Sequence, residues 1–160
     1  MESVYIETTI ISYLVSRPSR DILVAWRQRI TDIWWAERRR EFDCWISQFV
    51  IDEIQGGDPT AAEKRYRIAK DFRMLDVTSD AERLAVAIID AGVIPRNAAR
   101  DASHVAIAAV NNIEYLLTWN CRHLANAQII RKLALVCNSE QFGMPVICTP
   151  EGLMGELADD

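Results

Sequence analysis

Several function classes need residues that this sequence lacks. No glycine-rich phosphate loop follows the first apolar stretch, and the segment "ETTIIS" after it contains no glycine at all. A dinucleotide fold or a Walker-type nucleotide site needs glycines there, so both are excluded as readings. The four cysteines, Cys44, Cys121, Cys137 and Cys148, form no C-x-x-C pair. They read as thiols in a reducing compartment rather than as zinc ligands or disulfides. No apolar run approaches the ~20 residues of a membrane helix, and the first residues show no basic and apolar leader pattern. We therefore expect a cytoplasmic protein without membrane contact. Internal repeats, low-complexity tracts and long linkers are also missing, which leaves one domain over residues 1–160.

Half of the 160 residues are hydrophobic and 26% are charged, enough for a core without disulfides or a structural metal. The net charge of -5 argues against indiscriminate adhesion to nucleic acid. Charge is nevertheless locally segregated. The segment "WRQRITDIWWAERRR", Trp26 to Arg40, concentrates arginines at 27, 29, 38, 39 and 40. Its tryptophans suit an inward packing face, and its arginines suit either a solvated face or contact with nucleic acid or a partner.

Apolar periodicity alternates between short strands and helices along the whole chain. "VYI" is a strand that hands over at Glu7 to a helix, with Thr8 or Thr9 as its cap. Residues 20–40 read as one long helix, Phe42 to Ser47 as a strand, and "SQFVIDEIQGG" as a helix capped by Ser47 and stopped by Gly56 and Gly57. Thr60 and Glu63 form a capping box for the next helix, and Met74 to Thr78 a strand. Ser79 and Glu82 box a helix that ends at Gly92. "NAARDASHVAIAAVNN" is apolar nearly all round, as a centrally buried helix must be. "EYLLTW", a helix within "HLANAQIIRKLALVCN", the strand "PVICT" and a terminal helix "PEGLMGEL" follow. This alternation predicts an α/β domain with a mostly parallel central sheet.

Four polar positions fit poorly with a solvated face. Glu7 ends the first strand inside an apolar stretch. Glu53 lies on the otherwise apolar helix "FVIDEI". Asp101 opens the most buried helix, and Asn120 follows the strand "YLLTW". An ionised carboxylate in a dry interior must shift its pKa, pair, or bind a cation. Each acid alone is explained by a cap or an ion pair: Glu53 with an arginine, Asp101 with Arg100 or His104. Together, three acids and an amide at element junctions form a hard oxygen donor set of the kind that Mg²⁺ or Mn²⁺ prefers.

"VYIETTIISYL", "VIDEI", "ARDASHVAIA" and "YLLTWNCRHLAN" resemble, in that order, the motifs of PIN-domain nucleases of the VapC toxin type. The resemblance covers nearly the whole chain, including "PVICTPEGL". It implies an α/β/α sandwich and Mg²⁺- or Mn²⁺-dependent cleavage of RNA, with a small antitoxin protein as partner and pairing into a homodimer. Carried over by position, Glu7 takes the place of the family's first aspartate, Glu53 of its second acid, Asp101 of its third and Asn120 of its fourth. Thr8 and Thr118 become supporting hydroxyls. His104 reads as a packed histidine with one satisfied nitrogen, His123 as structural, and Arg122 as a candidate phosphate contact. Glutamate at the first position and asparagine at the fourth depart from the pattern. They keep open a second reading, a degenerate PIN domain that binds RNA or a protein without cutting. A phospho-acceptor receiver domain would need an aspartate at the first strand's end and a lysine late in the sheet, and "YLLTWN" and "PVICT" offer none.

Overall fold

The computed structural model describes residues 1–155. Five strands, β1 (Ser3–Ile6), β2 (Asp43–Ser47), β3 (Arg73–Leu75), β4 (Tyr115–Leu117) and β5 (Val146–Cys148), form one sheet in the order β3-β2-β1-β4-β5. Every pairing is parallel, with Val4 opposite Cys44 on one side and Tyr115 on the other. The α-helices are α1 (Thr8–Val15), α2 (Ile22–Ile33), α3 (Gln48–Ile54), α4 (Pro59–Ala69), α5 (Ser79–Asp90), α6 (Ala99–Val110) and α7 (Ala127–Ser139). Helices α1 to α4 contact one another, and so do α5 to α7. Right-handed crossovers put these two groups on opposite faces of the sheet, which makes an α/β/α sandwich.

β1 is central, and its Val4, Tyr5 and Ile6 are fully buried. After β1 the chain turns to one face, and after β4 to the other. The carboxyl ends of β1 and β4 therefore border the crevice where ligands bind in open parallel sheets. Helix α6 packs under this crevice and is buried from Val105 to Ala109, as its all-round apolarity requires.

Several local expectations change. Glu7 itself, rather than Thr8 or Thr9, caps α1 by accepting from the Thr9 amide, because both threonine hydroxyls have other partners. Ser47 occupies the cap position of α3, but its hydroxyl bonds Tyr5 instead of the helix. Asp58 caps α4 one residue ahead of Pro59, and Thr78 caps α5 one residue ahead of Ser79, so neither capping box forms as expected. The long helix expected over residues 20–40 stops at Ile33. A wide π turn, Trp34–Arg38, and a 3₁₀ turn, Arg39–Glu41, follow it. Adjacent residues of an α-helix point about 100° apart, so Trp34 and Trp35 cannot both face one core. The wider turn lets buried Trp34 stack on Phe42 and donate to the Leu153 carbonyl while Trp35 meets Phe72. The strand expected over Met74 to Thr78 is only Arg73–Leu75, and the terminal helix is a 3₁₀ turn, Pro150–Leu153. The remainder of "PEGLMGEL" from residue 156 lies outside the described residues.

Candidate metal centre

Glu7 leaves β1 with its amide donating to the Leu117 carbonyl of β4, which fixes it at the crevice. Its side chain is only 3% exposed. Oε2 accepts from the Thr9 amide at 3.1 Å, the Thr9 hydroxyl at 2.5 Å and the Thr118 hydroxyl at 2.7 Å. Burial raises the Glu7 carboxyl, and the charge of His104 and these donors oppose that without cancelling it.

Glu53 projects from α3 and accepts the Thr8 hydroxyl at 3.0 Å and His104 Nε2 at 2.5 Å, both on Oε1. Burial would raise this carboxyl as well. The hydrogen bond and charge of His104, with help from Thr8 and Arg100, outweigh it and hold Glu53 below the usual carboxylate value. His104, fully buried on α6, shows the mirror effect. Burial would lower it, but the Glu53 bond and the charges of Glu7, Glu53 and Asp101 raise it. Its Nδ1 lies 2.7 Å from the Tyr5 hydroxyl, which in turn lies 2.7 Å from Ser47 Oγ. Both imidazole nitrogens are thus engaged, where the sequence reading allowed for one.

One ligand atom each from Glu7, Glu53 and His104 lies within 4.8 Å of the others. Asp101, in the first turn of α6, stands outside that trio and pairs with His123 Nδ1 through Oδ2 at 2.9 Å. Its partner is therefore neither Arg100 nor His104, and Glu53 pairs with a histidine and not with an arginine. Asn120 follows β4. Its Oδ1 accepts the amides of Arg122 and His123, so both lone pairs of that oxygen are spent on its own turn. That turn delivers His123 to Asp101.

The free atoms decide what the site can hold. Among the described residues, Glu7 uses only Oε2, Glu53 only Oε1 and Asp101 only Oδ2 for protein hydrogen bonds. Each carboxylate keeps one oxygen without a protein donor. Glu7 and Glu53, close together and each with a free hard oxygen, fit a divalent cation.

Sequence reasoning missed His104 as a member of the cluster and Thr9 as the hub between Glu7 and the Trp119 amide, which donates to its hydroxyl at 2.8 Å. A histidine three positions after Asp101, on a helix otherwise apolar at that point, was the available signal for the former.

No protein-family model matches the chain, and no curated protein matches its sequence. Solved structures do match its fold. VapC20 of Mycobacterium tuberculosis, a Sarcin-Ricin loop cleaving toxin, superposes with a TM-score of 0.58 at 18% identity, over 76% of this chain and 92% of its own. VapBC2 from Rickettsia felis, bound to a DNA fragment from their promoter, gives 0.53 at 13% identity, over 91% and 97%. The chain has a PIN-domain, VapC-like fold. The α/β/α architecture expected from the motifs is the one observed. No helix among the described residues is long and apolar enough to cross a membrane.

Proposed function

We propose that this protein is a metal-dependent endoribonuclease that hydrolyses RNA phosphodiester bonds, acting in the cytoplasm as the toxin of a toxin-antitoxin pair. One observation carries the reading: buried Glu7 stands with Glu53 and His104 within 4.8 Å at the carboxyl edge of a VapC-like sheet. Glu7 and Asp101 would hold Mg²⁺ or Mn²⁺ through their free oxygens, and the free oxygen of Glu53 would face the water beside the ion. Asn120 would contribute through water from its amide, or by keeping His123 on Asp101. When bound, the ion supplies Lewis-acid polarisation and charge neutralisation at the scissile phosphate. Glu53, kept ionised by His104 and Thr8, would orient the attacking water. Thr9 and Thr118 hold Glu7 in one rotamer, so the centre needs little rearrangement as substrate arrives. The motif set also supports a homodimer and a small antitoxin as partner.

The test is cleavage of a panel of single-stranded and structured RNAs with Mg²⁺ or Mn²⁺. EDTA should stop it, and Asp101→Ala should lower it by orders of magnitude while the protein stays folded. RNA binding with no cleavage under any metal would leave the degenerate, binding-only reading in its place.

A further inference from the structure

Acidic residues at this edge of the sheet, on a chain of net charge -5, repel the phosphates that a nuclease must admit. Beyond the reach of a bound ion, a cationic side chain at the mouth of the crevice would offset that repulsion. Arg100 is turned toward Asp52, at 3.9 Å, and the Phe49 carbonyl. Arg122 is exposed, and no side chain holds its guanidinium among the described residues. Arg27, on α2, is different in kind.

Its guanidinium carbon lies 5.3 Å from the centroid of the Trp119 ring, and one terminal nitrogen reaches Cys121 Sγ at 4.0 Å. Trp119 and Cys121 flank Asn120, so the side chain spans the loop that ends β4. Among the described residues, the buried Arg27 Nε has no acceptor and no carboxylate pairs with this arginine. The mounting is rigid. Thr31 Oγ1 donates to the Arg27 carbonyl at 2.6 Å and accepts from Trp119 Nε1 at 2.7 Å. The Trp119 amide bonds Thr9, which bonds Glu7. A short chain of hydrogen bonds thus ties the turn of α2 that carries Arg27 to the acid at the centre of the site.

We propose that Arg27 is the anchor for an RNA phosphate at the mouth of this site. The proposal rests on the RNA-cleaving reading above for its choice of ligand. A stacked guanidinium has already lost much of its side-chain freedom, and most of its donors remain unused on a planar fork that matches phosphate. Beside it, Trp26 is 41% exposed and meets Trp119 edge-on at 6.0 Å. It offers an adjoining nucleotide a face for base stacking, which is why a polynucleotide suits this place better than a peptide carboxylate.

The experiment is RNA binding without catalysis: anisotropy of a labelled single-stranded RNA in EDTA, over a range of salt concentrations. Arg27→Gln should weaken binding about tenfold, uniformly across RNA sequences. It should also reduce the slope of log affinity against log salt by about 0.7, the value of one single-strand phosphate contact. Arg27→Lys should keep the slope and lose part of the affinity. Arg29→Gln, an exposed change on the same helix, should leave both as in wild type. Equal melting temperatures would show that the variants fold alike. Unchanged affinity and slope in Arg27→Gln overturn the proposal and point the guanidinium toward a protein carboxylate. An equal loss in Arg29→Gln, or no RNA binding by wild type, overturns it too. The two readings separate cleanly. Should wild type bind with this pattern yet never cut, the nuclease reading falls and Arg27 stands. Should wild type cut while Arg27→Gln keeps its affinity, slope and KM, only the Arg27 assignment falls.

Discussion

His104 Nε2 lies 2.5 Å from Glu53 Oε1, and the ring that carries it is fully buried between α3 and β1. Removing the imidazole leaves Glu53 without its neutralising partner and the Tyr5 hydroxyl without one of its two bonds. His104→Gln should therefore cost about 2 kcal/mol of stability, less than a fully enclosed pair because Glu53 remains partly open to water. The loss should depend on pH. His104 is raised in the folded state, so its contribution is full below the ordinary imidazole value and is lost as pH rises through the folded value. Glu53 is lowered, so its contribution is present above the ordinary carboxyl value and is lost as pH falls through the folded value. Between these limits the difference between wild type and variant is largest. Urea unfolding of both proteins in EDTA across pH measures it, and a difference flat with pH would mean that no ion pair exists.

Glu7 should show the opposite sign. Burial raises its carboxyl, so what it contributes is present below the ordinary carboxyl value and lost as pH rises through the folded value. At neutral pH the ionised form is a burden in the metal-free protein. Glu7→Gln should stabilise that state by about 1 kcal/mol and at the same time abolish the rise in melting temperature that Mn²⁺ or Mg²⁺ gives wild type. Thermal melts with and without the ion, with calorimetric titration alongside, test both halves. A variant that keeps its ion-dependent rise would remove Glu7 from the donor set.

The sequence made the fold legible because its signals were redundant. Alternating strands and helices, the all-round apolar stretch of α6 and the acid at the end of β1 all require one parallel sheet. Caps were less legible. Thr8, Ser47 and Thr60 each have a side chain able to cap, and only tertiary partners decide whether they do: Glu53 for Thr8 and Tyr5 for Ser47. The same limit applied at the site. Glu7 and Glu53 stood out as acids in apolar surroundings, but the two histidine-carboxylate pairs join residues 51 and 22 positions apart, and periodicity carries nothing about such pairings. The break after Ile33 was hidden because a π turn is built from residues that also suit an α-helix.

Thiol chemistry offers an independent check on packing. Burial pushes Cys44, Cys137 and Cys148 each up to about 11, whereas Cys121 is exposed beside Asn120. At mildly alkaline pH a thiol reagent should modify the native protein at Cys121 first, the half-buried Cys44 and Cys148 more slowly, and Cys137 only on unfolding. Intact-mass analysis over time would show a single early adduct. Early modification of Cys137 would contradict the placement of α7.

Assembly is open to measurement as well. The expectation of a homodimer comes from the family resemblance, and within the tryptophan-rich segment Trp34 is fully buried and Trp35 packs on Phe72. Apolar surface remains at the start of α2, where Ile22 is 87% exposed and Leu23 is also exposed. Light scattering at micromolar concentration should give twice the chain mass of 18.2 kDa, and Ile22→Glu should shift it toward the monomer. A monomer mass for wild type would rule out the homodimer.

Asn120 supplies the sharpest test of how the site works. Its amide oxygen accepts two backbone N–H groups, and an aspartate can accept the same two. Asn120→Asp should therefore keep the turn, leave His123 on Asp101, and add one negative charge at the edge of the donor set. Mn²⁺ affinity should rise roughly tenfold, the scale on which groups behind the ligands tune a metal site, and cleavage should be kept or increased. Calorimetric titration and an RNA cleavage assay read the two effects separately. If the charge only destabilises the fold and leaves metal affinity unchanged, Asn120 is a structural cap and no part of the centre. If wild type cuts no RNA while Asn120→Asp combined with Glu7→Asp does, the natural chain is the binding-only form of the fold, and its two departures from the acid set are what silenced it.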